Sequence, residues 1–131
     1  MAIPQLKLLI NLARIDGEVA EKEMKFITNI GLANGIPIAD ITPLFDQSHD
    51  LIIPSSMTEN ERFGYILSLV QLMKIDEKLY KEEIRYCANV ASKMGYEQTV
   101  MFDLMLHVRA MMEANEMEAL KKLTSKYLKT H

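Results

Sequence analysis

The sequence has a single cysteine, a small net charge and no long uninterrupted apolar run, and each of these excludes a class of protein. Cys87 alone cannot form an internal disulfide, so a reducing compartment is expected. A net charge of −3 at pH 7 argues against a general nucleic-acid binder, whose affinity depends on neutralising phosphates. The N-terminal segment, residues 1–18, is too short and too polar to span a membrane. We therefore expect a cytoplasmic, soluble protein.

Motifs of catalysis are also missing. The sequence contains no nucleophile elbow, no phosphate-binding glycine loop and no Cys-x-x-Cys pair. Its three histidines, His49, His107 and His131, do not have the spacing of metal ligands. A metal-assisted hydrolase built on two of the carboxylates would still need a general base and a substrate cleft, and the sequence shows neither. We therefore predict no catalytic residue and a protein that is not an enzyme.

The abundant amino acids favour helices. Apolar residues make up 49% of the 131 residues and charged residues 25%, as is usual for a globular domain. Ten methionines and many Leu, Ile and Ala residues, with few Val and Thr, favour helix over strand. A chain of this length can bury a core of its own. We predict one all-α domain over residues 1–131.

One segment of the sequence occurs twice, sixty residues apart. Residues 12–36 and 72–96 share six identical positions, and further pairs such as Arg14 and Lys74 keep their chemistry. Two copies are too few for a solenoid. They predict a duplicated helical hairpin whose halves pack around a pseudo-two-fold axis. The identical pairs are Leu12/Leu72, Ile15/Ile75, Asp16/Asp76, Glu23/Glu83, Asn29/Asn89 and Gly35/Gly95.

Each copy is predicted to form a helix, an acidic turn, a second helix and a stop. The first helix starts at Pro4, because the missing N–H of a proline would be unpaired at the first helical position anyway. The second helix begins near Ala20 and ends at Asn34-Gly35, where the glycine serves as the helix stop. Its apolar face is predicted to bury Met24, Ile27, Ile30 and Gly31.

The rest of the chain also predicts helices. Thr58 and Glu61 have the spacing of a capping box at the start of a helix that continues to the second acidic turn. With these elements the fold is an all-α bundle of about six or seven helices. The remaining predicted helices are a short one after Thr42-Pro43, one over about 80–94 that stops at Gly95, an apolar central helix within 97–113, and a last one over about 116–130.

The repeated turns are acidic and suggest a metal site. If the hairpins pack around the pseudo-two-fold axis, Asp16, Glu23, Asp76 and Glu83 converge. Carboxylates held close together keep protons or recruit a cation, and several hard oxygen ligands suit Ca²⁺ or Mg²⁺. The alternative needs no metal, because a glutamate in the first turn of a helix caps unpaired N–H groups and an aspartate can cap its own turn. Residue chemistry leaves both interpretations open.

An EF-hand is excluded as the form of such a site. Residues 17–23 match the end of that calcium-binding loop. The first and third ligand positions would then be Leu12 and Arg14, which supply no suitable side-chain oxygen. The second copy also has Glu77 in place of the loop glycine.

At these residues the sequence resembles the TerB family, the tellurite-resistance-associated helical domains that also occur at the front of DjlA membrane-anchored co-chaperones. The resemblance rests on IDGEVAEKE, on its echo IDEKLYKEE and on the two glycine stops, and it covers about residues 3–115. It implies a duplicated all-α bundle with an acidic cluster that holds a divalent cation. The ligands that it implies are Asp16, Glu23, Asp76 and Glu83. Glu77 departs from the glycine that is usual in the second copy.

Two hypotheses for the function follow. The resemblance implies a TerB-like module that binds a divalent cation and acts in tellurite or stress response through a protein partner, which the co-chaperone members suggest is membrane-associated. The other hypothesis is a purely structural scaffold for protein–protein interaction, in which the acidic residues are caps and no metal binds. Its interface would include the methionine-rich residues 101–112, although their helical spacing is more typical of a core.

Overall fold

The structure, a computed structural model, describes residues 2–15, 19–47, 49, 57–75, 81–108 and 112–128, with the backbone alone at Ala2 and Phe102. Within these ranges the chain forms seven α-helices, one 3₁₀ helix and no β-strand, so the predicted all-α fold is confirmed. The helices are α1 (Ala2–Ala13), α2 (Glu21–Ala33), α3 (Ile38–Ile41), the 3₁₀ helix (Thr42–Asp46), α4 (Glu59–Ile75), α5 (Lys81–Lys93), α6 (Val100–His107) and α7 (Ala114–Ser125).

The chain divides into two compact units, residues 1–54 and residues 55–131. In the first unit, α2 contacts α1 and α3, and α1 contacts the 3₁₀ helix. In the second unit, α5 contacts α4 and α6, α4 also contacts α6, and α6 contacts α7. The prediction of one domain over residues 1–131 stays a prediction.

The first helix buries the apolar stripe that its sequence predicts. Leu6, Leu9, Ile10 and Leu12 are all buried. We had predicted Pro4 as the first residue of α1, from the preference of proline for that position. The helix instead begins at Ala2, so Pro4 is its third residue. The first four N–H groups of a helix have no partner within it, so proline costs no hydrogen bond at the third position either.

The second helix has the predicted bounds, and two of its four predicted buried residues, Ile27 and Gly31, are buried, whereas Ile30 is only half-buried. Ala20 is its N-cap and Asn34 its C-cap. The residues of α2 that are buried are Glu23, Ile27 and Gly31, which recur every four residues. Met24 is 41% exposed, so the prediction that it is buried was wrong. The predicted apolar face did not include the charged Glu23, whereas the helix turns that glutamate inward.

Gly31 is the point of close approach within the first unit. A Cβ atom at this position would lie 2.6 Å from Cδ1 of Ile41 and 3.1 Å from Cδ1 of Leu6. Ile41 and Leu6 are fully buried, so neither has open space into which it can move. The absence of a side chain at Gly31 therefore lets α2 pack against α1 and α3.

This packing predicts opposite effects for two glycine-to-alanine substitutions. Gly31→Ala should lower the free energy of unfolding by about 1–2 kcal/mol, because overpacking outweighs the gain in helix propensity. Gly64→Ala, within α4, should raise it by up to about 1 kcal/mol, because no atom lies within 4 Å of the added Cβ. Urea denaturation of both variants measures the difference. A Gly31→Ala protein as stable as the Gly64→Ala protein would contradict the close packing.

Both helix stops at glycine are confirmed. Gly35 has φ +81°, and the N–H of Ile36 donates to the carbonyl of Gly31 at 3.0 Å. In the second unit Gly95 has φ +94°, and the N–H of Tyr96 donates to the carbonyl of Ala91 at 3.0 Å. The two helices thus end in the same left-handed glycine motif, in which a residue after the glycine satisfies a carbonyl of the last turn.

The capping box at the start of α4 is also confirmed. The Glu61 N–H donates to Oγ1 of Thr58 at 3.1 Å, and the Thr58 N–H donates to Oε1 of Glu61 at 3.0 Å. α4 then runs for 17 residues, most of them buried. Its buried residues are Phe63, Tyr65, Ile66, Leu67, Ser68, Leu69, Val70, Leu72 and Met73.

The apolar segment 97–113 forms a much shorter helix than predicted. α6 covers only Val100–His107, and the backbone at Val108 is extended. The side chain of Lys74 explains this end, because its Nζ donates to the carbonyls of Met105 at 2.6 Å and Val108 at 2.7 Å. A cation that binds the last carbonyls stabilises the end of a helix. Leu106 is 77% exposed, whereas Val100, Leu104 and Val108 are buried and α6 contacts α4, α5 and α7. Within the second unit α6 is thus the helix that contacts the other three, as predicted for a central helix, although one of its faces is exposed.

Several structural features recur at the sixty-residue offset. α2 and α5 each contain 13 residues, and their first and last residues are both sixty positions apart. Nη1 of Arg14 donates to the carbonyl of Phe45, and Nζ of Lys74 donates to the carbonyl of Met105. The two donors are sixty positions apart, and so are the two acceptors. A duplicated hairpin would produce equivalent features of this kind. The duplication itself stays a prediction.

Candidate functional site

Two of the four predicted metal ligands fall in the part of the chain that the structure describes. Glu23 and Glu83 are the third residues of α2 and α5. Asp16 and Asp76 lie outside the described residues, as does Glu18 in the first acidic turn. Of the predicted ligands, the structure thus describes Glu23 in the first unit and Glu83 in the second.

Glu23 is both a helix cap and a buried carboxylate. Its Oε1 accepts a hydrogen bond of 3.1 Å from the N–H of Ala20, the N-cap of α2. Ala20 has no side-chain oxygen with which to return the bond, so only half of a capping box can form. The carboxylate is nevertheless only 5% exposed. Burial of a charged group costs free energy unless hydrogen bonds or an opposite charge compensate it.

Other glutamates of the chain show that capping does not require this burial. Glu61 occupies the same third position of α4 and caps Thr58 at 3.0 Å, in a partly exposed setting. The hydrogen bonds from the N–H and the hydroxyl of Thr58 lower the pKa of Glu61, as expected for a bond to the charged form. Glu116 likewise caps Glu113 at 3.1 Å in α7 and is partly exposed. Burial thus distinguishes Glu23 from Glu61 and Glu116, which cap their helices in partly exposed settings.

Glu83 is buried to the same extent as Glu23. It is 5% exposed and lies one helical turn before Cys87, which is fully buried. Burial, together with the negative charge of Glu83, raises the pKa of the Cys87 thiol to about 12. Cys87 therefore keeps its proton at neutral pH and fills the core, as its sequence position predicts. Its equivalent in the first copy, Ile27, is also fully buried.

The described donors are of the type that a hard cation requires. Ca²⁺ and Mg²⁺ bind carboxylate oxygens, and an ionised carboxylate offers about four acceptor positions on its two oxygens. Glu23 can therefore cap α2 and also coordinate a cation. Among the described residues, no three His, Cys, Asp or Glu side chains come together as a metal-binding group, and the two aspartates of the predicted set lie outside that part. The residues present fit two of the four predicted ligand positions.

Two basic residues beside the acidic turns have a role that sequence reasoning missed. Nη1 of Arg14 donates to the carbonyls of Phe45 at 3.2 Å and Gln47 at 2.9 Å, at the end of the 3₁₀ helix. Lys74 binds two carbonyls in the same way at the end of α6. Each residue lies two positions before an aspartate of the repeat. The signal in the sequence was a positive charge at the same position of both copies of the repeat. That signal does not identify the carbonyls that the charged group binds.

A cavity in the second unit is lined by two of the residues considered in the sequence analysis, His107 and Met112. It has a volume of about 310 Å³ and lies between the end of α6 and α7. His107 is exposed and lines this cavity. Met101 is buried, whereas Met105 and Met112 are half-buried, so the methionine-rich segment is only partly core. The cavity is lined by His107, Met112, Glu116, Ala119, Leu120 and Leu123.

Comparison with known proteins gives no family assignment. No family model matches the sequence, and neither a curated protein nor a solved structure is significantly similar to it. Within the described ranges, no helix combines the length and the apolar composition needed to cross a membrane.

Proposed function

We propose that the protein is a non-enzymatic helical module that binds a divalent cation, Ca²⁺ or Mg²⁺, through Glu23 and Glu83. Asp16 and Asp76 complete the proposed ligand set. The ion-bound module then acts through a protein partner, and from the resemblance to the TerB family we propose that this action belongs to tellurite or stress response. Ca²⁺ and Mg²⁺ supply positive charge only, so no step of chemical catalysis is part of the proposal.

The observation that carries the proposal is the equal burial of Glu23 and Glu83. Both carboxylates are 5% exposed, at equivalent positions of helices with equal length. Buried charges in proteins are paired or coordinate metals, and a cation would add to the interactions that both carboxylates already make within the protein. A cation near both acidic turns would neutralise them, and it would bind the folded chain in preference to the unfolded one.

The proposal predicts that cations stabilise the wild-type protein. At a cation concentration about 100 times Kd, the gain is about 2.7 kcal/mol, which corresponds to roughly 8 °C in Tm. The double variant Glu23→Gln, Glu83→Gln should lose this response to Ca²⁺ and Mg²⁺. Glutamine can still accept the capping hydrogen bond, so the variant removes the charges and keeps the helix starts. Thermal unfolding with and without each ion measures the effect.

Glu61→Gln is the matched control. It makes the same chemical change at the same helical position, in a cap that is partly exposed and outside the repeat. The Glu61→Gln protein should respond to cations as the wild type does. If the wild-type Tm moves with neither ion at millimolar concentration, the cation proposal is rejected.

A second candidate function is a scaffold for protein–protein interaction without a metal. The hydrogen bond from the Ala20 N–H to Glu23 favours it, since that bond gives the glutamate a structural role. Four large apolar side chains are also exposed among the described residues: Met24, Leu32, Ile38 and Leu106. In this case Glu23→Gln and Glu61→Gln would lower the free energy of unfolding by similar amounts. Neither Ca²⁺ nor Mg²⁺ would change the Tm.

A further inference from the structure

The C-terminal part of the described chain lies beyond the repeated segments. α7 and the turn after it, residues 114–128, form a segment that we name the C-terminal strap. The second copy of the repeat ends at residue 96, so the strap is an addition to the repeated elements. It packs against α6 within the second unit.

The strap is fastened at its far end by a small group of contacts. The hydroxyl of Tyr127 donates to Oδ2 of Asp103 at 2.7 Å. The N–H of Glu97 donates to the carbonyl of Tyr127 at 2.7 Å, and Tyr96 and Leu128 form an isolated antiparallel bridge. Nζ of Lys126 lies 3.9 Å from the same Asp103 oxygen, but its side chain is 60% exposed and the ion pair is correspondingly weak.

The apolar attachment of the strap is limited. Its buried side chains are those of Leu120, Thr124 and Leu128, whereas α4 buries nine residues. The cavity of about 310 Å³ lies between α7 and the end of α6, so the helix does not fill the space against its neighbour along its whole length. A segment with few buried contacts opens at a lower free energy than the whole fold does.

We infer that the C-terminal strap opens as a unit while α4, α5 and α6 stay folded. The Tyr127–Asp103 hydrogen bond, the Glu97–Tyr127 backbone bond and the hydrogen bond from Nζ of Lys121 to Oδ1 of Asn60 in α4 hold it closed. Opening removes Leu128 from Tyr96, which is 1% exposed in the closed form, and uncovers the α6 surface beneath α7. The inference does not depend on cation binding.

Native-state hydrogen exchange on the full chain tests this inference. The amides of α7 should exchange at least about tenfold faster than those of α5, because they exchange through a local opening. Tyr127→Phe removes a single hydrogen bond and should speed exchange in α7 and at the Glu97 N–H by roughly two- to tenfold. Exchange in α4 and α5 should not change.

Ser125→Ala provides the control for the same helix end. The Ser125 hydroxyl donates to the carbonyl of Lys122, a bond within the strap, so its loss should leave the opening unaffected. Equal protection of α7 and α5 in the wild type would overturn the inference. So would a Tyr127→Phe protein in which α4, α5 and α7 all exchange faster by the same factor.

Discussion

Cys87 should react with a thiol reagent at pH 8 about a thousandfold more slowly in the folded protein than in the unfolded chain. Burial, together with the charge of Glu83, raises the pKa of its thiol from 9.0 to about 12. The thiolate is the reactive form, and each unit of pKa above the ambient pH lowers its population about tenfold. The rate of modification by an aromatic disulfide reagent, with and without denaturant, measures the ratio.

The same shift in pKa fixes the sign of a pH effect on stability. The unfolded chain ionises this thiol above about pH 9, whereas the folded chain keeps the proton until about pH 12. The contribution of Cys87 to stability is therefore complete below pH 9 and is lost as the pH rises through that interval. Cys87→Ala, which has no thiol to titrate, should show a smaller loss over the same range. Rapid modification of the folded wild type at pH 8 would contradict both statements.

Lys74→Met should lower the free energy of unfolding by about 2–3 kcal/mol, since bonds from a charged donor are among the stronger hydrogen bonds. The substitution keeps most of the aliphatic side chain and removes the ammonium group, which donates to Met105 and Val108 at 2.6 and 2.7 Å. Two carbonyls at the end of α6 then lose their partner. Urea denaturation provides the measurement.

Lys93→Met is the control for this loss of charge. Lys93 is exposed in the last turn of α5, where its effect through the helix dipole is at most about 1 kcal/mol. Arg14→Met should have an intermediate effect, because one of its two carbonyl bonds is exposed. If Lys74→Met destabilises the protein no more than Lys93→Met does, the ammonium group does not stabilise the end of α6.

Local signals in the sequence predicted the helix ends well. The capping box of Thr58 and Glu61 and the stops at Gly35 and Gly95 need only neighbouring residues, so their geometry follows from short motifs. The bounds of α2 and α5 follow from the same signals.

Features that depend on distant residues were predicted less well. The end of α6 is stabilised by Lys74, about thirty residues earlier, and an apolar pattern alone cannot identify such a partner. The buried face of α2 includes Glu23, whereas periodicity assigns charged residues to the surface. Both misses arise because tertiary contacts override the local pattern.

The candidate metal site itself stays a prediction. The repeat identified Glu23 and Glu83, and both are buried carboxylates at equivalent positions. The sequence also showed that Ala20 cannot complete a capping box, and the structure has only the bond from its N–H to Glu23. The convergence of the two acidic turns stays a prediction, because Asp16 and Asp76 lie outside the described residues.

Equilibrium dialysis of the full chain against radiolabelled Ca²⁺, with Mg²⁺ as competitor, tests the central claim most directly. If Glu23 and Glu83 bind a shared cation, the wild type should take up Ca²⁺ in a saturable way and Glu61→Gln should bind equally well. The double variant Glu23→Gln, Glu83→Gln should bind none. If the folded wild type retains no Ca²⁺ and Mg²⁺ does not raise its Tm, the claim is contradicted.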